Sequence, residues 1–364
     1  MARALQEAGR GLYSTDPNPR VGCLLVKDGA VIGSGWHKLA GDQHAEVEAI
    51  SSAEADVRGA TAYVTLEPCS HEGRTGACCK VLAEAGISRV VAAMVDPFPE
   101  VAGKGFEYLR TAGIEVTTSL LEDQARALNP GYVKRLEQGL PFVRCKLATS
   151  LDGRTALANG NSKWISGADA RRDVQRLRAR SSAIVTGIGT VLADDPSLTV
   201  RAGELDIASA DLALQRQPLR VVLDPELQIE PAAKLLQQPG HTLLVCTDAG
   251  ATRQAALVDQ GLEIVKLTGD ENGVDLTELL THLAARDCNE VLFETGATLA
   301  GALIRSGMMD ELVIYMAARL LGNDALPLAM LPEISCMNEA IDLQFTDVRH
   351  IGADIRLTAS VQSR

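Results

Sequence analysis

The sequence predicts an α/β protein made of two domains in tandem. Its 364 residues exceed the roughly 100–200 that one domain usually holds. Short apolar runs alternate with helix-length periodic stretches along the chain, the pattern of strands layered with helices. The alternation breaks once at Gly139-Leu140-Pro141, where glycine and proline punctuate the chain. The expected domains are therefore 1–140 and 141–364.

In the first domain, Val21–Lys27 and Ala30–Trp36 are apolar runs joined by Asp28-Gly29, a two-residue hairpin signal. Ala45–Ala53 reads as a helix and Thr61–Leu66 as a strand. Cys78–Ala85 is helical up to Gly86, a residue suited to ending a helix. Arg89–Val95 is a strand stopped by Asp96-Pro97, Gly105–Ala112 a helix ended by Gly113, and Glu115–Leu120 a strand. Glu122–Gln138 is helical except around Asn129-Pro130-Gly131.

The second domain repeats the alternation. Its strand candidates are Phe142–Ala148, Ala183–Gly187, Leu219–Leu223, Thr242–Cys246, Leu262–Leu267, Glu290–Phe293 and Glu311–Met316. Its helix candidates are Ala168–Arg178, Leu276–Arg286 and Thr298–Ser306. Ile341–His350 and Ala353–Val361 form an expected antiparallel hairpin across Gly352, which makes the sheet mixed. Asp206–Gln217 is polar and alanine-rich, a candidate surface insertion.

The net charge of −12 argues against a protein that holds nucleic acid by counterion release, which needs a basic face. No run of about 18 apolar residues suggests a membrane span. The first residues lack the charged-then-apolar pattern of a secretion signal, so the cytoplasm is the expected location. In that setting the eight cysteines are reduced thiols or metal ligands rather than a disulfide framework.

Three of them sit in chemically telling places. His44-Ala45-Glu46 opens a predicted helix, Glu67-Pro68-Cys69 follows a predicted strand, and Cys78 opens the next helix. One His and two Cys suit a tetrahedral zinc ion with its fourth position open to water, whose pKa the ion lowers. Glu46 can reach the same place without being a ligand and move protons between the water and a leaving amine. His-x-Glu followed by Pro-Cys is the pattern of zinc deaminases, although eight residues lie between the cysteines here rather than two. A closed structural site completed by Cys79 or His71, or plain core packing, is the competing reading. Cys79 follows Cys78 on a helix, points elsewhere, and reads as a packing residue. The loop between the cysteines carries His71 and Arg74, suited to an anionic group such as a sugar phosphate. It also reads as an ordinary solvated loop. Asn18, within Pro17-Asn18-Pro19, either hydrogen-bonds a heterocycle or makes a turn.

Taken together, Pro17-Asn18-Pro19 with Val21-Gly22, His44-Ala45-Glu46, and Thr65-Leu66-Glu67-Pro68-Cys69-Ser70-His71 with Gly73-Arg74-Thr75 and Cys78 resemble the deaminase half of the bacterial riboflavin-biosynthesis bifunctional deaminase–reductases. The resemblance implies a cytidine-deaminase-like three-layer α/β domain. It implies zinc on His44, Cys69 and Cys78, with Glu46 as proton shuttle and Asn18, His71 and Arg74 at the substrate. One departure is visible: Gly76-Ala77 stands where the family usually has two prolines.

The second half gives weaker signals. Thr186-Gly187-Ile188-Gly189-Thr190 is a glycine-rich turn after a strand, but Leu192 replaces the third glycine of a dinucleotide fingerprint. Gly296 and Gly301 have phosphate-loop spacing, but Ala302 replaces the lysine. Phosphate binding at a helix start and simple tight turns are both consistent with these residues. Lys146 either hydrogen-bonds a sugar and stabilises developing charge, or is a surface lysine. The runs from Lys146 to Arg154, Thr186 to Arg201 and Glu294 to Leu303 resemble the reductase half of the same family, in the same order. The resemblance implies a dihydrofolate-reductase-like domain using NADPH. By that likeness Ala148, Trp164, Thr190, Asp194, Gly296, Ala297, Thr298, Leu299, Ala300, Gly301 and Ala302 contact the cofactor. Ser162, Arg178, Leu198, Arg201 and Glu294 contact substrate, with Arg178 and Arg201 as clamps for a ribose phosphate.

The expectation is two successive reactions on one small phosphoribosyl pyrimidine: zinc-dependent hydrolytic deamination, then NADPH-dependent reduction of the ribosyl group to ribityl. The resemblance further implies a homo-oligomer, and no nucleic acid or membrane partner is expected. Two rivals are a zinc deaminase of another nucleoside or a tRNA base with an unrelated second domain, and a non-catalytic zinc-stabilised binding module. A structural zinc site has no use for Glu46.

Overall fold

In the computed structural model, which describes residues 1–70, 76–247, 257–259, 261–270 and 273–361, the alternating pattern folds into two sheets. The chain divides into two compact units, Met1–Gly139 with Asp211–Gln215, and Leu140–Ala210 with Arg216–Arg364.

The first unit holds a five-stranded sheet: β1 (Gly22–Lys27), β2 (Ala30–Trp36), β3 (Thr61–Val64), β4 (Arg89–Ala92) and β5 (Glu115–Thr117), in the order β2-β1-β3-β4-β5. β1 and β2 form the hairpin predicted from Asp28-Gly29. Both turn residues have positive φ, 52° and 78°, as the favoured two-residue hairpin turn requires. β1 also runs antiparallel to β3, and β3, β4 and β5 are parallel. Cys23, Leu25, Ala62, Val64, Val90 and Ala92 point to one side and bury against Ala45, Ala49, Leu82 and Leu109 from three helices. Glu122–Gln138 breaks into Glu122–Leu128 and Pro130–Gln138, because Pro130 can begin a helix but not continue one. The helix Ala2–Gly9 was not anticipated. It has no side-chain cap and buries only Ala4 and Ala8. Those alanines let β1 come close: a Cβ on Gly22 would stand 2.2 Å from the Ala4 carbonyl oxygen.

The second unit holds a nine-stranded sheet. Its strands are β6 (Phe142–Ser150), β8 (Ala183–Gly187), β9 (Leu219–Leu223), β10 (Thr242–Cys246), β11 (Glu263–Lys266), β14 (Glu290–Glu294), β15 (Glu311–Ala317), β17 (Leu343–Ile351) and β18 (Asp354–Val361). Two short antiparallel pairs lie outside it: β7 (Arg154–Ala156) with β16 (Leu326–Pro327), and β12 (Gly269–Asp270) with β13 (Gly273–Val274). The order is β11-β10-β9-β8-β14-β6-β15-β18-β17. Only β18 runs against the others, pairing antiparallel with β15 and with β17, its partner in the predicted terminal hairpin. Successive residues of a strand face opposite sides. Val291 and Phe293 of β14 therefore pack under the helices Leu276–Ala285 and Ala297–Arg305, while Leu292 packs with Ala170 and Val174 of the helix Ala168–Arg180. Both faces are covered, as a largely parallel sheet requires.

The strand order positions the second site. From β6 the chain steps out to β8 and onward to β11, then returns to insert β14 between β8 and β6. Such reversals open a crevice at the carboxyl ends of the strands, where α/β sheets bind ligands. Gly187 and Glu294 end β8 and β14, and Lys146, midway along β6, is level with Glu294. The run after Gly187, read from sequence as an extended turn, folds as the helix Ile188–Asp194. Among the described residues no helix is long and apolar enough to cross a membrane.

Candidate functional sites

His44 stands at the N-cap of the helix Ala45–Ser51, in extended conformation. Cys69 lies beyond β3, and Cys78 is the first residue of the helix Cys78–Glu84. The three side chains converge. His44 Nδ1 is 3.2 Å from Cys78 Sγ and 3.5 Å from Cys69 Sγ, and the donor atoms all lie within 4.8 Å of one another. Such separations suit corners of a tetrahedron with bonds of about 2.0–2.3 Å, the spacing zinc takes with nitrogen and thiolate. The donor set, one imidazole and two thiols, fits zinc with one position left over. A hydrogen bond from Cys78, with further ones from His44 and the Cys78 N–H, holds the Cys69 thiol well below its ordinary value, while Cys78 is pushed up. Cys79 is buried in the core beneath, as its place after Cys78 predicted. The Glu46 side chain, on the first turn of the same helix as His44, is buried. Burial foremost, with the Cys69 charge, raises its carboxyl to about 7.

Two residues beside this centre were not singled out from the sequence. His37, just after β2, is 3% exposed, and burial lowers its pKa. Its Nδ1 is 3.0 Å from the Gln43 carbonyl oxygen, so Nδ1 carries the proton and Nε2 accepts from Asn18 Nδ2 at 3.0 Å. That orientation leaves the Asn18 amide oxygen as the group to face a ligand. The other is Glu67, whose carboxylate binds main-chain N–H groups 29 to 39 residues away. A lone His after a strand and a Glu inside Glu-Pro-Cys carry no further signal in sequence. His71 and Arg74 lie outside the described residues.

The second site is built on β6 and β14. Lys146 and Glu294 are neighbours in register, and Lys146 Nζ lies 5.9 Å from the centre of the Tyr315 ring. It is a partly buried residue inside a strand rather than a surface lysine. Burial lowers its pKa, against a smaller pull upward from Glu294. Arg178 corrects an expectation. Expected as a clamp for a ribose phosphate, it is buried and paired within the chain, donating to Glu294 Oε1 and Oε2 at 2.5 and 2.9 Å and to the Thr199 carbonyl at 2.9 Å. Burial acts to raise the Glu294 carboxyl, but Arg178 and Lys146 outweigh it and hold it down. Arg201 is exposed and paired with Glu204 at 2.5 Å. Leu198 is buried with Val174 and Ile184, so its side chain belongs to the core. Ser162 Oγ donates to Asp194 Oδ1 at 3.3 Å, Thr190 lies one turn before Asp194, and Lys163 Nζ donates to the Asp194 carbonyl. Trp164 is 63% exposed, with the Arg171 guanidinium 4.5 Å from its ring centre. Ala148 follows on β6, opposite Tyr315.

The glycine run at Gly296 is read more narrowly from the structure than from sequence. The first amides of a helix have no partner within it, so Ala297, Thr298 and Leu299 have N–H groups to offer. Ala300 does not, because its N–H bonds the Gly296 carbonyl. Gly301 is a packing glycine: a Cβ there would stand 2.0 Å from the Met330 carbonyl oxygen. A Cβ on Gly189 or Gly296, by contrast, would meet nothing within 4 Å. Open room above two glycine turns, with unpaired amides at their helix starts, fits a phosphate-bearing cofactor such as NADPH.

A zinc-type His-Cys-Cys centre with a buried carboxylate, on one α/β unit, and a parallel sheet with a crevice at its strand ends, on the next, define a two-domain deaminase–reductase. The family described as the cytidine and deoxycytidylate deaminase zinc-binding region matches residues 1–94, and the RibD C-terminal domain matches residues 141–357. The riboflavin biosynthesis protein RibD of Escherichia coli is 47% identical over 360 residues, covering 98% of this chain and 97% of that protein. The solved structure of Acinetobacter baumannii RibD is similar with a TM-score of 0.91 at 42% identity, covering 100% of this chain and 98% of that one. The Thermotoga maritima diaminohydroxyphosphoribosylaminopyrimidine deaminase/5-amino-6-(5-phosphoribosylamino)uracil reductase is similar with a TM-score of 0.84 at 30% identity, covering 100% and 97%. The chain belongs to the RibD family. It is a bifunctional enzyme of riboflavin biosynthesis, with a zinc-dependent, cytidine-deaminase-like deaminase domain and an NADPH-dependent RibD reductase domain, acting on a small-molecule pyrimidine.

Proposed function

We propose that residues 1–140 deaminate 2,5-diamino-6-(5-phosphoribosylamino)pyrimidin-4-one and that residues 141–364 reduce the resulting 5-amino-6-(5-phosphoribosylamino)uracil to its ribityl form. The observation that carries the reading is the convergence of His44, Cys69 and Cys78 beside the buried carboxyl of Glu46. These three residues would hold zinc, which supplies the Lewis acidity that makes water nucleophilic near neutral pH. Glu46 takes the proton of the attacking water and delivers it to the departing amine. A C–O bond forms, the C–N bond breaks, and ammonia leaves. The amide oxygen of Asn18, set by His37, accepts a hydrogen bond from the pyrimidine. His71 and Arg74 are assigned to its phosphate.

In the second domain Lys146 Nζ hydrogen-bonds the sugar and stabilises the charge that develops at it. NADPH, when bound, would supply the hydride for ribosyl C1′; the bond from C1′ to the ring oxygen breaks, and that oxygen takes a proton to become a hydroxyl of the ribityl chain. Ala297, Thr298 and Leu299 would hold a cofactor phosphate through their main-chain N–H groups. Ala148, Trp164, Thr190 and Asp194 line the rest of its path. Glu294 and Ser162 are assigned to the sugar hydroxyls, and Arg201, the exposed cation, to the phosphate. Arg178 serves by holding Glu294. The proposed setting is the cytoplasm, as a homo-oligomer, with no nucleic-acid partner. The net charge of −12 supports the last point.

The test is an assay on the zinc-loaded full chain that follows ammonia release and NADPH oxidation separately. Ammonia first, then NADPH loss, is the expected result. Ammonia without NADPH loss leaves the second assignment wrong. Neither signal from protein shown to hold zinc overturns the substrate.

A further inference from the structure

The helix Lys104–Thr111 starts without a cap of its own. Its N-cap is Gly103, at φ 82°, which has no side chain to offer. The first N–H groups of a helix need acceptors and favour negative charge. Here both come from Glu67, which is 3% exposed and belongs to a distant stretch of chain. Its Oε1 accepts from Gly105 N at 2.9 Å and Phe106 N at 3.3 Å. Its Oε2 accepts from Gly103 N at 2.9 Å and Asp96 N at 3.2 Å. A carboxylate has about four acceptor positions, and this one fills them with main-chain donors. The approach is close on the other side too. A Cβ on Gly105 would stand 2.1 Å from the Pro68 carbonyl oxygen and 3.2 Å from Glu67 Oε1. Pro68 has a fixed φ, and Cys69 comes next. Cys69 is tied in turn to the following helix: its Sγ accepts from Cys78 N at 3.3 Å and its carbonyl from Cys79 N at 3.2 Å.

We propose that Glu67 is a positioning residue of the deaminase site. It clamps the Pro68-Cys69 turn onto the start of the helix Lys104–Thr111, so that Cys69 Sγ is set beside His44 and Cys78 before a metal arrives. The proposal rests on the ligand set given above. Glu67 is not among the converging donor atoms and acts through Pro68 and Cys69. Its charge is part of the device. Glu67→Gln keeps the size but turns an NH₂ group toward two of the four donors.

The experiment measures zinc release from the full-length, zinc-loaded protein to a colorimetric chelator, alongside the thermal transition, the kcat and KM of deamination, and the reductase rate on supplied aminouracil. Glu67→Gln is expected to release zinc about tenfold faster or more and to lose deamination kcat with KM little changed, the reductase rate staying intact. Leu109→Ala is the control: it empties a buried position of the same helix without touching the clamp. At equal loss of thermal stability it should release zinc at the wild-type rate. Wild-type release from Glu67→Gln, or equal acceleration in Leu109→Ala, overturns the proposal. Should Glu67→Gln fail to fold, Gly105→Ala presses on the Pro68 carbonyl instead. Faster release from it supports the clamp, and a wild-type rate overturns it. Zinc held undiminished by Cys69→Ser overturns the ligand set, and the clamp with it.

Discussion

The two sites keep charge away from water by opposite means. Around His44, Cys69 and Cys78 the protein gathers donors and a buried carboxyl, and the cation that acts on Glu46 and Cys69 is His44, one of the donors themselves. A metal held by His44, Cys69 and Cys78 would take over that balance. Around Lys146 the chain supplies a counter-charge of its own, because Glu294 is the register neighbour of Lys146 and is bonded twice by Arg178. The difference teaches where each site is fragile. A change at the first centre should remove chemistry and leave the fold. Breaking the buried Arg178–Glu294 pair of the second should be felt by the fold itself.

The sharpest test of that contrast is Glu46→Gln. Deamination should fall about 10²–10⁴-fold, the usual value of a positioned proton carrier, with the melting temperature held and reduction of supplied aminouracil unchanged. Loss of both activities in a folded variant would break the separation. In the second unit, Glu294→Gln leaves the Arg178 charge buried without its partner. The unit should lose about 3–5 kcal/mol, read from the denaturant midpoint, and an unchanged midpoint would erase the contrast. Lys146→Met should lower the reductase rate about 100-fold while deamination stays. Since burial already disfavours the Lys146 charge, the unit should not be destabilised.

The smallest effect concerns Asp96, which accepts from Phe98 N and Tyr132 Oη, both at 2.9 Å. Burial foremost, with the charge of Glu67, lifts its carboxyl from 3.8 to about 6. The folded chain therefore keeps a proton that the unfolded chain gives up. The stability this confers is complete below about pH 4 and is lost as pH rises through about 6. Asp96→Asn should flatten the fall in first-unit stability between pH 4 and pH 7 by up to ~3 kcal/mol, measured by melting at each pH.

The first site was legible in the sequence because its chemistry sits in side chains of distinctive type. His44, Glu46, Cys69 and Cys78 are each recognisable alone, and short elements bring them together. The Asp28-Gly29 turn and the break at Pro130 were legible for the same reason, since backbone constraint is written in the residue itself. The pairing of Arg178 with Glu294 spans 116 residues, and no local pattern announces it; the sequence alone offers Arg178 as a phosphate clamp. Glu67 was passed over because its partners are amides of glycines and Phe106, which carry no complementary side chain to suggest a match. The helix Ala2–Gly9 escaped because two buried alanines are too faint a stripe. Which amides of the Gly296–Ala302 stretch are still available was not legible, since sequence spacing does not tell which ones a helix has already used.

The start of the helix Ala297–Arg305 has a consequence for inheritance. Its unpaired donors are main-chain atoms, the same whatever side chains stand at 297, 298 and 299. Exchanges there leave the donors in place. Lineages can therefore drift at the exposed Thr298, while burial restrains Ala297 and core packing Leu299, so long as insertions, deletions and prolines beyond the first helical position stay out of the turn. Kinship at this spot is better judged by the path of the chain than by the residues along it.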